Sequence, residues 1–523
     1  MTAGSTLRII FRVDASTDIG TGHVIRCLTL GERLRKQGAD VGFVCRELDG
    51  HLCDLIERRG FGVSRLPAPP SGSQPSAEGE PKHASWLGLS WQQDAAQTAE
   101  AIAHPSLPDW IVVDHYALDS RWEETFRARG VKLLVIDDLA DRQHSCDVLL
   151  DQNLSAEMVG RYTGRVPQNC TLLIGPAYAL LQGDYSMLRT RTPPREGPIR
   201  RLLISFGGVD KDCLTEKTVV ALLALDTPQL QADIVLSSTS PQFSRIFNRI
   251  AGNPAFRLHD RVASLAPLML AADLAIGASG TTNWERLCLG LPALVVTVAD
   301  NQTPIAAELA ARHLIRWLGH ADAVDQAQIE SALRELLEIG LDGTWSERCV
   351  SVVDGQGTDR VCAVLLAHPG MALSVRHAEL RDEALLLDWA NDPLSRQNGF
   401  NPKPIAPGEH RAWFRARLRS PDNCVMCIVE TMSAIPLGQV RFDRRGEKWE
   451  ISYAVAPPFR GRGAGRTMLA TAIDFFRQSH ADAALLGQVK IDNLASRRIF
   501  ESLGFEAHIG EPDRYVYERS YGK

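Results

Sequence analysis

Short continuous runs of apolar residues alternate with helical stretches from Leu7 to about Ala177. Such runs are typical of parallel strands buried on both faces, because a half-exposed strand would alternate apolar and polar positions instead. The runs lie at 41–45, 110–113, 133–136 and 148–150. We therefore predict a Rossmann-like α/β domain, and we place it at residues 1–192.

The same alternation begins again at Arg201, after a segment from Thr190 to Pro198 that contains three prolines and is typical of a linker. We assign this second Rossmann-like domain to residues 193–368. Two such domains of about 180 residues each are of ordinary size and indicate a fold of the glycosyltransferase-B type, with a substrate in the cleft between them. Its further strands are predicted at 232–236, 274–276 and 293–297.

The pattern changes after about Ala367. There the helix comes first, antiparallel strands follow, and a turn rich in Gly and Arg leads into a long helix. This order is α+β rather than α/β, so we predict a third domain of a different class over residues 369–523. Its predicted elements are a helix near 384–390, strands at 424–430, 437–443 and 449–455, and a helix at 466–476.

Composition narrows the class of protein without identifying it. Of the 523 residues, 45% are hydrophobic and 23% are charged, as in soluble globular proteins. The net charge of −6 argues against a general nucleic-acid binder. We expect no signal peptide and no membrane span, because no apolar run has the required length or flanks. The 11 cysteines are scattered as in a reducing compartment, so we expect a cytoplasmic protein.

The most informative segment of the chain is an apolar strand that stops at Asp14, followed by Gly20 and Gly22, then His23 and a helical pattern. Strand, glycine turn and helix is the arrangement by which an α/β sheet presents a reactive group at the carboxyl edge of its strands. A histidine there exchanges protons near neutral pH, and Asp14 is a candidate to orient it. We predict that His23 and Asp14 are catalytic and that Gly20, Gly22 and Arg26 bind substrate.

The sequence around His23 bears on a dinucleotide-binding alternative and on which aspartate is close to the histidine. A dinucleotide-binding turn would place a third glycine at position 25, where this chain has Ile25, so that alternative is disfavoured. The sequence does not show whether Asp14 contacts the histidine. Asp114, Asp137 and Asp138 also stand at the carboxyl ends of predicted strands, where ligand sites of α/β proteins form.

Two further strand–turn–helix segments, 205–210 and 277–285, have small residues in the turn. Such turns bind a diphosphate on backbone N–H groups at a helix start. Glu285 falls about one turn into its helix, where a carboxylate can accept two hydrogen bonds from ribose hydroxyls. No carboxylate pair is arranged for Mg²⁺, so we predict no metal and expect helix dipoles to stabilise departing UDP. The UDP-binding candidates are Gly207, Gly208, Ser279, Gly280, Thr281, Glu285, Asn301 and Gln302.

A set of long motifs spread over residues 7–365 adds a family resemblance. The motifs are Arg-x-Asp-x-Ser-x-x-Ile-Gly-x-Gly-His-x-x-Arg-Cys at 12–27, the segment 86–94, and the segments 113–116, 136–138, 205–210, 277–285 and 299–302. On these motifs the region resembles the UDP-sugar hydrolases of pseudaminic acid biosynthesis, which are similar to the glycosyltransferase that makes lipid II. The resemblance implies that water displaces UDP from the anomeric carbon with inversion, and that His23 matches the family's essential histidine.

The third domain has a Gly/Arg turn at 460–465, directly before its long helix. Consecutive N–H groups entering a helix there would bind a pyrophosphate, and the arginines add positive charge. Together with the segment 493–505, the turn resembles the acetyl-CoA signature of GNAT-type N-acetyltransferases, over about 372–520. The resemblance implies acetyl-CoA as cosubstrate. The acetyl-CoA-binding candidates are Val455, Arg460, Arg462, Gly463, Ala464, Gly465 and Asn493.

The sequence leaves the proton donor of acetyl transfer open. Many GNAT-type enzymes place a general-acid tyrosine where this chain has Phe500. Tyr453 and Ser496 are therefore the candidate acids, beside an ordered water.

The presence of both resemblances in one chain narrows the acceptor. In pseudaminic acid synthesis, as the resemblance implies, a 4-amino UDP-sugar is acetylated at C4 and then loses UDP. We expect a bifunctional enzyme that binds a UDP-amino-sugar and acetyl-CoA. Such a role is compatible with association with other enzymes of the sugar pathway. Two alternatives stay open: an isomeric, legionaminic-type sugar, and a silent nucleotide-sugar-binding module fused to an active acetyltransferase.

Overall fold

The computed structural model describes residues 6–69, 79–103, 106–158, 160–192, 194–207, 210–225, 227–260, 262–510 and 513–521. The chain forms two compact units, Met1–Val361 and Cys362–Lys523. Within the described ranges, no helix combines the length and the apolar composition needed to cross a membrane.

The first sheet of the larger unit is parallel, as the apolar runs predict. Its strands are β1 (Arg8–Val13), β2 (Asp40–Arg46), β3 (Gly62–Leu66), β4 (Trp110–Asp114), β5 (Lys132–Ile136), β6 (Val148–Asp151) and β7 (Thr171–Ile174), in the order β3-β2-β1-β4-β5-β6-β7. The helices of this region are α1 (Gly22–Lys36), α2 (Cys53–Arg58), α3 (Trp91–Ile102), α4 (Ser120–Arg127) and α5 (Gly183–Arg189).

The second sheet of this unit is also parallel. Its strands are β8 (Arg201–Ser205), β9 (Gln231–Val235), β10 (Phe256–His259), β11 (Leu274–Ala278), β12 (Ala293–Thr297) and β13 (Arg316–His320), in the order β10-β9-β8-β11-β12-β13. The helices are α6 (Leu214–Ala224), α7 (Phe243–Ile250), α8 (Ala266–Ala271), α9 (Thr282–Cys288), α10 (Thr303–Ala311), α11 (Gln326–Ile339), α12 (Gly343–Val350) and α13 (Gly357–Leu365).

The strands of these two sheets that the apolar pattern did not single out are β3, β7, β10 and β13. All four lie at sheet edges and are only partly buried. An edge strand has a neighbour on one side only, so its sequence does not need the continuous apolar run of a central strand. The prediction of two Rossmann-like sheets is confirmed for the central strands.

The strand order reverses between β1 and β4 in the first sheet and between β8 and β11 in the second. At such a reversal the connections leave to opposite faces and open a crevice at the carboxyl ends of the strands. Lys211, in the turn after β8, donates to the backbone oxygen of Thr17, in the turn after β1, at 3.4 Å. The two carboxyl edges therefore face each other, as in the predicted glycosyltransferase-B type of fold.

The end of the second Rossmann-like region returns to the first one. A Cβ atom added at Gly357, the first residue of α13, would lie 2.3 Å from the backbone oxygen of Ala179, so only glycine permits this approach. In the same first turn of α13, Asp359 accepts a hydrogen bond from Arg33 of α1 at 2.5 Å. The return of α13 joins the two regions into one compact unit.

The smaller unit contains a mixed sheet, as the α+β pattern predicts. Its strands are β14 (Leu373–His377), β15 (Cys424–Thr431), β16 (Pro436–Arg445), β17 (Lys448–Val455), β18 (Ala484–Lys490), β19 (Glu506–Ile509) and β20 (Arg514–Arg519), in the order β14-β15-β16-β17-β18-β20-β19. The pair β17–β18 is parallel and the other pairs are antiparallel. The helices are α14 (Glu383–Asn391), α15 (Pro393–Asn398), α16 (Pro407–Leu418), α17 (Ala464–Arg477) and α18 (Leu494–Ser502).

A histidine buried between two carboxylates makes the stability of the larger unit depend on pH. His144 Nδ1 lies 2.7 Å from Glu123 Oε1, and its Nε2 lies 3.7 Å from Asp137 Oδ2. Burial alone would lower the pKa of His144, but the charge of Glu123 and the interactions with Asp137 outweigh it and raise the pKa to about 9. The folded pKa exceeds the ordinary value of about 6.5. The protonated histidine therefore stabilises the fold fully below pH 6.5, and this contribution is lost as the pH rises through about 9.

We expect His144→Gln to lower the unfolding temperature of the full chain more at about pH 6 than at about pH 9.5. The imidazole attracts the two buried carboxylates when it is protonated, and this attraction is lost when it is neutral. The pKa shift corresponds to at most about 3 kcal/mol. Thermal unfolding of both proteins across this pH range measures the effect. A difference between the two proteins that is the same at every pH would contradict it.

Candidate active sites

The first site is built by the turn between β1 and α1. Gly20 has a φ of +80°, a conformation that favours glycine, and its N–H donates to the oxygen of Ser16 at 2.8 Å. This tight turn brings Gly22 to the start of α1, so that His23 lies in the first helical turn at the carboxyl edge of the sheet. The sequence prediction placed Gly20, Gly22 and His23 at this edge, and the structure puts them there.

The partner of His23 is Asp114, the last residue of β4. His23 Nδ1 lies 2.6 Å from Asp114 Oδ1, and both residues are buried. Burial alone would raise the pKa of Asp114, but the positive charge of Arg26, together with the hydrogen bonds from Arg26 and His23, holds it well below its usual range. Asp114 is therefore an ionised acceptor that orients the imidazole and fixes Nδ1 as the protonated nitrogen.

The prediction that Asp14 orients His23 is wrong. Asp14 accepts a hydrogen bond from Arg12 Nη1 at 2.7 Å and one from the backbone N–H of Arg46 at 2.7 Å. His115 Nε2 lies 3.3 Å from its other oxygen. Arg12 and Asp14 are two positions apart, so their side chains leave the strand on the same side and pair with each other. Asp114 comes from the neighbouring strand β4 and reaches the histidine instead.

Arg26, which we predicted to bind substrate, has carboxylate partners inside the protein. Its Nε donates to Asp114 Oδ2 at 2.6 Å, its Nη2 donates to Asp114 Oδ1 at 2.7 Å, and its Nη1 donates to Asp138 Oδ2 at 2.6 Å. Tyr116 donates its hydroxyl to the same Asp138 oxygen at 2.6 Å. The guanidinium is thus occupied by two carboxylates and positions Asp114, so it is not a free cation for a nucleotide phosphate.

The second site lies at the reversal point of the second sheet, where turns follow β8 and β11. Gly207 has a φ of +94°, and a Cβ added at Gly207 or at Gly280 would meet no described atom within 4 Å. Both turns therefore leave their backbone open to a ligand. Thr281 precedes α9 and is exposed, whereas the Ser279 hydroxyl is buried and accepts a hydrogen bond from Asn283 at 3.0 Å. Ser279 thus shapes the turn through its side chain. The predicted Gly208 lies outside the described residues.

One carboxylate oxygen of Glu285 is available to accept a hydrogen bond. Its Oε2 is buried and makes no hydrogen bond within the described part of the chain. Burial raises the pKa of Glu285 to about 7, and a hydrogen bond from Tyr185 and the charge of Arg286 moderate this rise. A buried carboxylate oxygen without a partner is costly unless a ligand supplies a donor. The residue is therefore suited to accept hydrogen bonds from a ligand.

The short 3₁₀ helix Asp300–Gln302 follows β12 on the same sheet. Gln302 Oε1 accepts a hydrogen bond from the N–H of Val298 at 2.9 Å, which leaves the side-chain amide donors for another partner. The Asn301 side chain is exposed. Both predicted residues are at the carboxyl edge of the second sheet, the edge that faces His23.

The third site is a cavity of about 890 Å³ in the smaller unit. It forms because β17 pairs with β18 only from Lys448 to Ile451, so the remainder of the two strands no longer shares a hydrogen-bonded ladder. The cavity extends to aromatic side chains on and near α14 and α16, namely Trp389, Phe400, His410 and Trp413. The predicted residues that line it are Tyr453, Val455, Arg460, Gly463, Gly465, Asn493 and Ser496. Ala464 is fully buried beneath the turn.

The turn before α17 fits a pyrophosphate at its backbone. Gly463 directly precedes the helix with a φ of +80°, and a Cβ there would lie 2.5 Å from Cγ of Pro369. At Gly461 a Cβ would meet no described atom within 4 Å. The first N–H groups of a helix have no partners inside it, so those of α17 are directed at this open surface.

The side chains of three predicted acetyl-CoA ligands have partners within the protein. Arg460 donates to the backbone oxygen of Val455 at 3.0 Å and to Asp392 at 2.5 Å, so its charge is paired inside the protein. Asn493 Oδ1 accepts a hydrogen bond from the N–H of Ser496 at 3.1 Å and caps the N-terminus of α18. Arg462 donates to the backbone oxygen of Pro458 at 2.9 Å. In this turn it is mainly the backbone that is available to the ligand.

Tyr453 has the properties of a proton donor. Its hydroxyl is buried at the cavity, and in the described residues it has no well-formed hydrogen bond. Burial raises the pKa of Tyr453 to about 12, and an interaction with Ser496 moderates the rise. The phenol therefore keeps its proton at neutral pH and can give it to a strong base such as a thiolate.

Comparisons with known proteins agree with this division of the chain. Residues 372–506 match the acetyltransferase (GNAT) domain family. A protein of Methanocaldococcus jannaschii described as uncharacterized is 21% identical over 533 aligned residues, which cover 98% of this chain and 99% of that protein. The UDP-2,4-diacetamido-2,4,6-trideoxy-beta-L-altropyranose hydrolase of Campylobacter jejuni is 26% identical over 309 residues, covering 58% of this chain and 96% of the hydrolase. The spore coat polysaccharide biosynthesis protein SpsG of Bacillus subtilis is 28% identical over 196 residues, covering 37% of this chain and 56% of SpsG.

The last two of these relatives are named for reactions of sugar metabolism, and the family match identifies residues 372–506 as a GNAT acetyltransferase domain. The chain is a fusion in which a region homologous to the UDP-2,4-diacetamido-2,4,6-trideoxy-beta-L-altropyranose hydrolase precedes a GNAT acetyltransferase domain.

Proposed function

We propose that this chain is a bifunctional cytoplasmic enzyme of pseudaminic acid biosynthesis. It N-acetylates a 4-amino UDP-sugar and then hydrolyses UDP-2,4-diacetamido-2,4,6-trideoxy-β-L-altropyranose to UDP and the free sugar. The observation that carries the proposal is the buried His23–Asp114 pair, 2.6 Å apart, at a sheet edge that faces a second edge with open glycine turns. The acetyl-CoA turn and its cavity in the same chain supply the preceding step.

In the hydrolysis, His23 acts as the general base. Asp114 accepts the Nδ1 proton, which leaves Nε2 with a lone pair for a proton from water. The water oxygen forms a bond to the anomeric carbon, on the face opposite the nucleotide. The bond from that carbon to the diphosphate oxygen breaks, and UDP leaves with the electron pair. The configuration is inverted, and the proton stays on His23 until it is released to solvent.

The second sheet would hold the departing UDP. Backbone N–H groups of the turn after β8 and of the start of α9 stabilise the diphosphate, because helix starts carry partial positive charge. Glu285 would accept hydrogen bonds from the ribose through its unpartnered oxygen. This account needs no metal, so EDTA is expected to leave the rate of UDP release unchanged.

In the acetyl transfer, the neutral amine nitrogen of the acceptor forms a bond to the thioester carbonyl carbon and the carbon–sulfur bond breaks. The proton that the nitrogen loses passes to solvent, and solvent restores the phenol of Tyr453 after that residue has given its own proton away. Tyr453 gives its hydroxyl proton to the departing sulfur, since its pKa of about 12 keeps the phenol protonated beforehand. Ser496 is the second candidate for this role. The aromatic end of the cavity, with Trp389 and Trp413, provides room for the acceptor.

The test is to incubate the full chain with the 4-amino UDP-altrose and acetyl-CoA and to follow the products by NMR. The expected sequence is a 4-acetamido UDP-sugar, then UDP and the free diacetamido sugar. Acetylation without UDP release would identify the larger unit as a silent binding module. Faster turnover of an isomeric, legionaminic-type UDP-sugar would change the assigned pathway but not the two reactions.

Replacing Glu285 tests the nucleotide site. We expect Glu285→Ala to raise KM for the UDP-sugar by roughly tenfold and to lower kcat less, because ribose contacts are made in the ground state and the transition state alike. Glu330→Ala, which removes a half-buried carboxylate paired with Arg334 on α11, is the matched control and should leave both constants unchanged. A loss confined to kcat would contradict the ribose assignment.

The pH dependence of the same residue provides a second readout. Because burial raises the pKa of Glu285 to about 7, half of the free protein carries a protonated carboxyl near neutrality. Ribose hydroxyls donate to the ionised form, so KM is expected to rise as the pH falls below about 7. Glu285→Gln should remove this dependence.

A further inference from the structure

Beside His23 lies a cluster of aromatic rings that the hydrolysis steps above do not use. Trp86 stacks on Tyr116 with ring centroids 5.6 Å apart and an interplanar angle of 28°. Its edge faces His23 at 6.2 Å and 78°. His83 packs against Trp86 at 4.5 Å and against Tyr116 at 5.6 Å. The histidine of the first site is therefore bordered by the rings of Trp86 and Tyr116, and His83 packs against both of them.

Two of these rings, His83 and Trp86, belong to a short segment that the sheet does not hold. Trp86 is in the 3₁₀ helix Ala84–Leu87, and His83 directly precedes it. The buried Leu87 anchors the segment, and Gly88, with a φ of +66°, ends it against Pro69. Tyr116 and His23 are buried, whereas His83 and Trp86 are only half-buried. The two rings thus form the outer wall of the site.

The chemistry of this wall is aromatic and uncharged. The indole N–H of Trp86 makes no hydrogen bond to any residue that the structure describes. Burial lowers the pKa of His83 below its ordinary value, so its imidazole is neutral at pH 7. Arg26 is ion-paired with the nearby carboxylates of Asp114 and Asp138, so its charge is not available to a diphosphate. The wall therefore suits the uncharged part of a nucleotide sugar.

An aromatic wall also distinguishes among sugars. Rings of tryptophan and histidine contact C–H groups and methyl groups favourably, and they offer few polar atoms: one N–H in the indole and two nitrogens in the imidazole. A sugar hydroxyl that packs against such a ring loses its hydrogen bonds to water and gains no new partner. A methyl group makes no hydrogen bonds to water, so it has none to lose. A pyranose with a methyl group at C6 and acetamido groups on the ring matches the wall better than a fully hydroxylated hexose.

We propose that Trp86 and His83 bind the pyranose of the nucleotide sugar beside His23 and select deoxy, acetamido-substituted sugars. The inference rests on the proposed hydrolysis for the place of the anomeric carbon. It assigns sugar recognition to the first sheet and leaves UDP recognition to the second. In this arrangement Trp86 is a specificity-determining residue.

The experiment compares Trp86→Ala and Trp86→Phe with the unmodified full chain. Calorimetry measures the affinity for UDP alone and for UDP-2,4-diacetamido-2,4,6-trideoxy-β-L-altropyranose. In these titrations every protein, including the reference, also carries His23→Ala, so that the sugar nucleotide is not consumed. We expect Trp86→Ala to weaken binding of the sugar nucleotide roughly tenfold or more while the affinity for UDP changes less than about twofold. Trp86→Phe keeps a ring and should retain most of the affinity.

The matched control is Trp91→Ala. Trp91 begins α3 and lies under the guanidinium of Arg121 at 5.6 Å, and among the described residues it makes no ring contact with His23, His83, Trp86 or Tyr116, so its replacement should leave both affinities unchanged. The inference would be overturned if Trp86→Ala bound the sugar nucleotide as tightly as the chain with Trp86 does. It would also be overturned if the substitution weakened the binding of UDP and of the sugar nucleotide by the same factor. UDP release by the unmodified chain tests the proposed hydrolysis separately, so the failure of one is distinguishable from the failure of the other.

Discussion

Replacing His23 with alanine is expected to lower the rate of UDP release by on the order of 10²-fold or more. The imidazole is the general base in the proposed step, and with Nδ1 bonded to Asp114 only Nε2 can take the proton from water. The affinity for UDP should remain close to that of the unmodified chain, because UDP is assigned to the second sheet. Steady-state release of UDP and calorimetric titration with UDP measure the two quantities.

Two aspartate variants sharpen this test. Asp114→Asn should also lower UDP release strongly, since a neutral amide holds neither the imidazole nor Arg26 in place. Asp14→Asn perturbs a buried pair with Arg12 and should act on thermal stability more than on the turnover of the folded protein. Near-normal turnover by His23→Ala, or a larger loss of turnover in Asp14→Asn than in Asp114→Asn, would contradict the assigned pair.

Replacing Gly463 with valine is expected to abolish acetyl transfer, a loss of about 10²-fold or more by analogy with other displaced oxyanion donors. The residue has a φ of +80°, and any Cβ would lie 2.5 Å from Pro369, so the turn must shift. The N–H groups at the start of α17 would then no longer point at the pyrophosphate. The effect is measured as the rate of acetylation of the 4-amino UDP-sugar, detected through the free CoA thiol that is released.

Gly446→Val is the matched control for this variant. Gly446 also has a positive φ, +65°, but it lies in the turn between β16 and β17 and has open space around its Cβ position. It should lower stability without removing acetyl transfer. UDP release from pre-acetylated substrate should be unchanged in both variants. Normal acetyl transfer by Gly463→Val, or loss of hydrolysis together with acetyl transfer in a folded variant, would contradict the separate roles of the two units.

The sequence by itself determined the central strands of the two parallel sheets and the places of several candidate residues at their edges. Continuous apolar runs identify central parallel strands because both faces of such strands are buried. A glycine turn between a strand and a helix then predicts what lies at the carboxyl edge, and for this reason His23, Gly207 and Glu285 were placed correctly. The change to an α+β pattern, with the Gly/Arg turn before α17, likewise separated the acetyltransferase domain from the rest.

Only the tertiary structure decided which charged groups meet. Asp114 is 91 residues from His23 and reaches it because β4 lies beside β1 in the sheet. Asp14 is much nearer in the chain, but it is paired with Arg12 on its own strand. Arg26 was likewise a free cation in the sequence interpretation and an ion-paired one in the fold.

The physical reason is that a buried charge must find an opposite charge, and the choice among partners depends on strand order and side-chain direction. Neither is a local property of the sequence. The same holds for the wall of Trp86 and His83, which forms because a loop segment returns across the carboxyl edge of the sheet. It also holds for the acetyl-CoA cavity, which opens where β17 and β18 stop pairing. Local pattern predicts the elements and their edges, and long-range packing selects the partners that make those edges chemically useful.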